Sequence, residues 1–271
     1  MKLGISTASY FLRCYTEEAL VPIAKLGAEC AEVFYATFSE YTEEFAKHIN
    51  KELKKANEIN PLYIHSVHAL TSQFEPELYN LNSRAFNDAI KTYRDVCRAA
   101  QLIGAKYYTF HGATIQKRAV KYVFDYNHIA SRVNMLCEVA EEYGVRLCYE
   151  NVHWAYFHKP EFFEILGPMC PKVGTVLDIK QAMQSKYDYK DYLKVMGKSL
   201  QTVHLCDYNS DGSLEIPGKG SFDFVEFFKY LLDFGYEGPC LMEVYSKNYR
   251  TEQELGESFE YLKSCLDKAM K

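Results

Sequence analysis

Residues 145–150 read Val-Arg-Leu-Cys-Tyr-Glu and residues 173–178 read Val-Gly-Thr-Val-Leu-Asp. Each is a short apolar run that stops on a carboxylate, and an amphipathic stretch over 160–167 separates them. A strand, a helix and a second strand in this order make a parallel pair, because parallel neighbours can be joined only through a crossover. The same unit recurs outward in both directions to the ends of the chain. Strand candidates are 3–8, 30–35, 62–68, 106–111, 145–150, 173–178, 202–206 and 239–244. Helix candidates are 17–27, 42–58, 83–103, 127–143, 160–167, 188–196, 222–234 and 251–269. Eight such units fit a closed (β/α)8 barrel better than an open sheet. The 271 residues are close to the roughly 250 usual for one such barrel.

Local punctuation agrees with these boundaries. Gly27, Gly104, Gly144 and Gly235 each stand just before a strand, where a left-handed helix cap is expected. Thr16-Glu17-Glu18 and Ser221-Phe222-Asp223 look like helix starts with a cap and early acids. Over 83–103, Phe86, Ile90, Tyr93, Cys97 and Ala100 fall on one helical face. No linker, low-complexity tract or second domain interrupts the pattern, so a single domain over 1–271 is expected. Chemistry on such a barrel collects at the carboxyl ends of the strands. The longer polar segments at 66–82, 111–126, 151–159 and 206–221 all belong to that face.

Composition narrows the partners. A hydrophobic share of 48% and a charged share of 25% describe a globular chain with a large core. A formal net charge of −5 offers no general attraction to nucleic acid. The nine cysteines are odd in number, scattered and without a Cys-x-x-Cys pair, which indicates free thiols in a reducing compartment. The chain starts directly into a strand and has no apolar run long enough for a membrane span. The expected setting is cytoplasmic, with no membrane partner.

Four strand ends carry chemistry. Glu150 and Asp178 close the runs quoted above, His204 lies in Gln-Thr-Val-His-Leu, and Glu243 lies in Pro-Cys-Leu-Met-Glu-Val. An isolated carboxylate beside β-branched core residues loses its hydration at great cost. A divalent cation removes that cost, and these are suitable oxygen and nitrogen ligands. Adjacent strands run about 4.8 Å apart, so ends of successive strands can converge on one ion. His68 and His111 occupy equivalent places, either as ligands of a second ion with Glu150 or as contacts to substrate. Strand alternation sends His65 to the opposite face, in a structural role. His48, His128, His153 and His158 have no comparable setting.

The ordered series Ser-Val-His-Ala at 66–69, Phe-His-Gly at 110–112, Glu-Asn at 150–151, Leu-Asp-Ile-Lys-Gln-Ala at 177–182, Val-His-Leu-Cys-Asp at 203–207, Pro-Gly-Lys-Gly at 217–220 and Met-Glu at 242–243 resembles the xylose isomerase-like TIM barrel superfamily. That group includes sugar phosphate isomerases and epimerases, ketose 3-epimerases, inosose dehydratases and endonuclease IV. The resemblance implies that Glu150, Asp178, His204 and Glu243 bind one Mn²⁺ or similar ion and that the two glutamates also move protons. By likeness to endonuclease IV, His68 and His111 would join Glu150 at a further zinc. The third zinc of that enzyme needs a histidine where this chain has Gln181, and an Asp-x-His where the loop after strand seven has no histidine. The trinuclear phosphodiesterase site is therefore not supported. Gln181 also replaces a histidine that epimerases use on substrate.

The expected activity is that of a metal-dependent isomerase or epimerase of a small sugar, polyol or sugar phosphate. The ion, Mn²⁺ or Zn²⁺ first and Mg²⁺ or Co²⁺ next, would polarise a carbonyl and steady the enediolate formed when the α-proton leaves. Glu150 and Glu243 would remove and return that proton. Lys180, Gln181 and Trp154 are candidate substrate contacts. Lys219 in the Gly-rich loop reads better as part of a tight turn than as a phosphate site. Alternatives are an inosose dehydratase-type hydro-lyase, an endonuclease IV-like phosphodiesterase and a non-catalytic sugar-binding barrel. Many barrels of this type pair, so a homodimer is allowed.

Overall fold

The computed structural model describes residues 1–70, 74–114 and 125–271. Parts of two expected rim segments, 71–73 and 115–124, lie outside the described residues. Eight parallel strands close on themselves: β1 (Leu3–Ser6), β2 (Cys30–Tyr35), β3 (Tyr63–Ala69), β4 (Tyr107–Phe110), β5 (Arg146–Glu150), β6 (Gly174–Asp178), β7 (Leu200–Leu205) and β10 (Cys240–Met242). The ring is sealed where β1 pairs with β10. A short antiparallel hairpin, β8 (Asp207–Tyr208) with β9 (Leu214–Glu215), rises from the loop after β7.

Helices α1 (Leu20–Lys25), α2 (Glu43–Asn57), α3 (Ser83–Leu102), α4 (Tyr126–Glu141), α5 (Pro160–Met169), α7 (Tyr189–Met196), α8 (Phe224–Asp233) and α9 (Glu252–Ala269) follow the sequence pattern. One more, α6 (Ile179–Gln184), was not anticipated. Gly27, Gly104, Gly144 and Gly235 all adopt positive φ, from 67° to 79°. A residue with a Cβ would be strained at each of these turns back toward the barrel.

Alternation along the strands sorts the core into two shells. On β4, Tyr108 packs on Tyr93 of α3 with ring centroids 5.6 Å apart, while Thr109 points inward to Glu32 of β2. On β5, Tyr149 meets Phe162 of α5, leaving Glu150 to the interior. The shell between strands and helices is aromatic and aliphatic, so apolar burial there supports the barrel. The interior near the mouth is polar instead.

His65 departs from simple alternation. The β2–β3 register shifts between the pairs Ala31↔Ile64 and Glu32↔Ser66, so His65 is the extra residue of a bulge. Its Nε2 lies 2.9 Å from Thr202 Oγ1 on β7, which places the ring inside the barrel and not on its outer face. Bulges change which way the next side chains point, and nothing in Leu-Tyr-Ile-His-Ser-Val-His marks this one.

Candidate metal centre

The inward-facing ends of β5, β6, β7 and β10 deliver Glu150, Asp178, His204 and Glu243 to one place. One ligand atom from each lies within 4.8 Å of the others, and all four residues are buried. Asp178 and His204 are paired across β6 and β7. Asp178 also caps α6, accepting the Gln181 N–H on Oδ1 at 2.9 Å. Asn151 locks the end of β5 to the end of β6 by exchanging two hydrogen bonds with the Asp178 backbone. Glu150 Oε2, Asp178 Oδ2 and His204 Nε2 are buried and meet no described residue in strict hydrogen-bond geometry, although charged groups of His111, Lys180 and Glu32 stand beside them. Orphaned polar atoms of this kind usually signal an ion, a ligand or a functional role, and oxygen plus imidazole donors suit a divalent cation.

His68 and His111 border the same cluster. Their Nε2 atoms are 2.9 Å apart, and His111 Nε2 lies 2.5 Å from Glu150 Oε2. Donor atoms of His68, His111 and Glu150 form a second group close enough for an ion. Trp154 stands edge-on to His111 with centroids 5.1 Å apart, so it belongs to the rim of this site. Gln181 is buried, but its side-chain oxygen accepts from the His153 backbone N–H at 3.1 Å and contacts the ring Nδ1. That engagement directs the amide toward the loop after β5.

Lys180 is only 4% exposed. Its ammonium sits 3.2 Å from Asp178 Oδ2 and 3.4 Å from Glu243 Oε2, with the Tyr245 ring 5.0 Å away. Burial works against its charge, but Asp178 and Glu243 outweigh it and hold the ammonium protonated well above the usual range. Burial would raise the carboxyl of Glu150, yet the imidazoles of His111 and His204 keep it well below the usual range. Glu243 is likewise lowered, by His204, Lys180 and His68 against burial. Burial opposes charge on His204 and His68, and surrounding glutamates raise both in spite of it. Burial dominates at His111 and lowers it. Lys180, His68 and His204 thus offset the charge of the glutamates, whereas burial raises Asp178 to about 6 in spite of Lys180.

Two acidic residues were missed in the sequence. Glu32, in the middle of β2, is fully buried beside His68 and His204. Its only outward sign is a single acid inside Cys-Ala-Glu-Val-Phe-Tyr. Glu75, also fully buried, accepts the Tyr108 hydroxyl and the backbone N–H groups of His111 and Gly112. It opens a single 3-10 turn, Glu75–Tyr79, too short to show periodicity. The Pro-Gly-Lys-Gly loop spends its amides internally, with Gly218, Gly220 and Phe222 all donating to the Asp207 carboxylate. A cavity of about 1090 Å³ opens at the other end of the barrel, past His65 and Tyr107. The one buried histidine there is already bonded to Thr202, so volume alone does not locate the chemistry.

A family model described as xylose isomerase-like TIM barrel matches residues 20–265. An inosose dehydratase from Clostridium perfringens is 25% identical, covering 90% of this chain and 89% of its own length. A crystal structure of a D-tagatose 3-epimerase-like protein superposes with a TM-score of 0.80 at 20% identity over the whole of both chains. The IolI protein with a bound zinc atom superposes with a TM-score of 0.77 at 18% identity, over 99% of each chain. No helix among the described residues is long and apolar enough to cross a membrane, and all nine cysteines are free.

Proposed function

This chain belongs to the xylose isomerase-like TIM barrel family, and from that premise we propose that it is a divalent-metal-dependent isomerase or epimerase of a small sugar, polyol or sugar phosphate. The observation that carries the reading is the convergence of four buried donors, Glu150, Asp178, His204 and Glu243, at the barrel mouth. These four would hold the ion, Mn²⁺ or Zn²⁺ before Mg²⁺ or Co²⁺. When bound, it supplies electrophilic polarisation of a substrate carbonyl.

The protein's own groups do the rest. Glu150 and Glu243 stand on different strands with His204 Nδ1 between them, at 3.2 and 3.6 Å. Both are held as carboxylates, the state required to accept a proton from carbon. One takes the proton α to the carbonyl, and the other returns one, to the opposite face for epimerisation. His68 and His111 read a substrate hydroxyl or, with Glu150, take a second ion. The Lys180 ammonium contacts a hydroxyl, carboxylate or phosphate, and Trp154 closes one side of the sugar.

A second reading, an inosose dehydratase-type hydro-lyase, is favoured by the full-length relative of that name. It would use the same proton abstraction and then expel a β-hydroxyl. The test is to measure bound metal, strip it with chelator, and follow panels of ketoses and inososes by NMR in D₂O. An isomerase or epimerase exchanges the α-proton and keeps every oxygen, whereas a hydro-lyase loses water. Turnover undiminished by removal of the ion would sink both.

A further inference from the structure

Glu32 has no place in the chemistry described so far, yet its carboxylate accepts from three side-chain hydroxyls. It lies on β2 with no exposed surface. The Ser6 hydroxyl on β1 donates to its Oε1 at 3.2 Å. The hydroxyls of Ser66 on β3 and Thr109 on β4 both donate to Oε2 at 2.7 Å. Three hydroxyl donors from three other strands hold the group as an acceptor and fix where its oxygens point. Oε1 then faces His204 Nε2 at 3.3 Å and His68 Nδ1 at 3.5 Å.

Neither ring nitrogen meets strict hydrogen-bond geometry with any described residue. Site contacts in a free enzyme are often long and tighten when the site is filled. For His204 the arrangement has a definite consequence. Acceptor-only oxygens face both ring nitrogens, Glu32 at Nε2 and Glu150 and Glu243 at Nδ1. Because Glu150 and Glu243 are the residues that would hold the ion, Nδ1 is the nitrogen that would give up its proton to it, while Nε2 keeps its N–H toward Glu32.

We propose that Glu32 is a positioning residue whose carboxylate holds the Nε2–H of His204 and thereby presents Nδ1 as the donor to a divalent ion. The inference deepens the metal reading above and rests on it. Outer partners of ligating histidines set both ring orientation and ligand basicity, and their loss typically weakens metal binding by about 10–100-fold. A bundle that only tied β1, β2, β3 and β4 together would not need to face the imidazole of β7.

The experiment compares wild type with Glu32→Gln, using zinc as the probe. Calorimetric titration of zinc into metal-free protein should show binding weaker by about 10–100-fold in the variant. In zinc-loaded protein labelled with ¹⁵N-histidine, wild type should show a downfield, slowly exchanging Nε2–H proton of His204. That resonance should move upfield in the variant. Thr109→Ala, which removes one hydroxyl and keeps the carboxylate, should keep its zinc affinity within a few-fold of wild type. Should Glu32→Gln not fold, Glu32→Asp carries the same two readouts, since it withdraws the oxygens by one methylene and keeps the charge. Unchanged zinc affinity with an unchanged resonance overturns the role of Glu32 alone. A wild-type protein that takes up no zinc, manganese, magnesium or cobalt overturns the metal reading as well.

Discussion

Replacing Lys180 by methionine keeps most of its apolar stem and removes its charge. The ammonium is 3.2 Å from Asp178 and 3.4 Å from Glu243, and all three side chains are at most 10% exposed. Removing one partner from a buried ion pair costs about 3–5 kcal/mol, because the remaining charge loses its compensation. At roughly 2–4 °C per kcal/mol, the metal-free variant should melt roughly 6–20 °C below wild type. A divalent cation on the same carboxylates restores the balance. At a hundredfold excess over its Kd it adds about 2.7 kcal/mol. In wild type the cation competes with the ammonium for Asp178 and Glu243, whereas in Lys180→Met it does not. Scanning fluorimetry in chelator and in manganese should therefore show a larger rise for the variant. A chelated variant within about 2 °C of wild type, or equal rises for the two proteins, would refute the reasoning.

Glu150→Gln and Glu243→Gln should each lower turnover by about 10²–10⁴-fold while retaining much of substrate binding, because an amide cannot accept the proton; near wild-type deuterium exchange in both would contradict their assignment. Burial pulls His65 down to about 4. Well above pH 6.5 the ring is neutral in folded and unfolded chains alike, but as pH falls through 6.5 toward 4 the unfolded chain gains the proton and the folded one does not. Stability should then drop progressively by roughly 3 kcal/mol, and urea midpoints of His65→Gln should lack that part of the acid sensitivity. Equal losses on acidification in the two proteins would exclude it. Gly112→Ala would place a methyl against the Tyr149 hydroxyl at φ +74°, whereas Gly235→Ala at φ +78° meets nothing within 4 Å. Both carry the left-handed strain of about 1–3 kcal/mol, so Gly112→Ala should melt lower; the reverse order would show that the overlap relaxes freely.

The strand ends were legible because a carboxylate beside a β-branched run is costly without a partner, and three such carboxylates and a histidine on successive strands share a rim. The barrel was legible for a related reason, since short apolar runs alternate with longer amphipathic stretches along the chain. Glu32 was hidden by position: in the middle of a strand it breaks no boundary, and its hydroxyl donors Ser6, Ser66 and Thr109 are far apart in sequence. Helix α6 was hidden because Asp178 serves both as the last residue of β6 and as the cap of the helix. The hairpin after β7 has strands of two residues each, too short for periodicity to register. His65 was misdirected because a bulge carries no sequence mark here.

The convergence of side chains from β2, β3, β5, β6 and β7 with those following β4 and β10 makes the mouth a gauge of strand alignment. A slip of one residue in any of these strands would carry its donor roughly 3.3 Å along the axis and turn it to the other face. Insertions and deletions should therefore be tolerated between the barrel staves but not within them. Uptake of a divalent ion would then certify that every stave has seated in step.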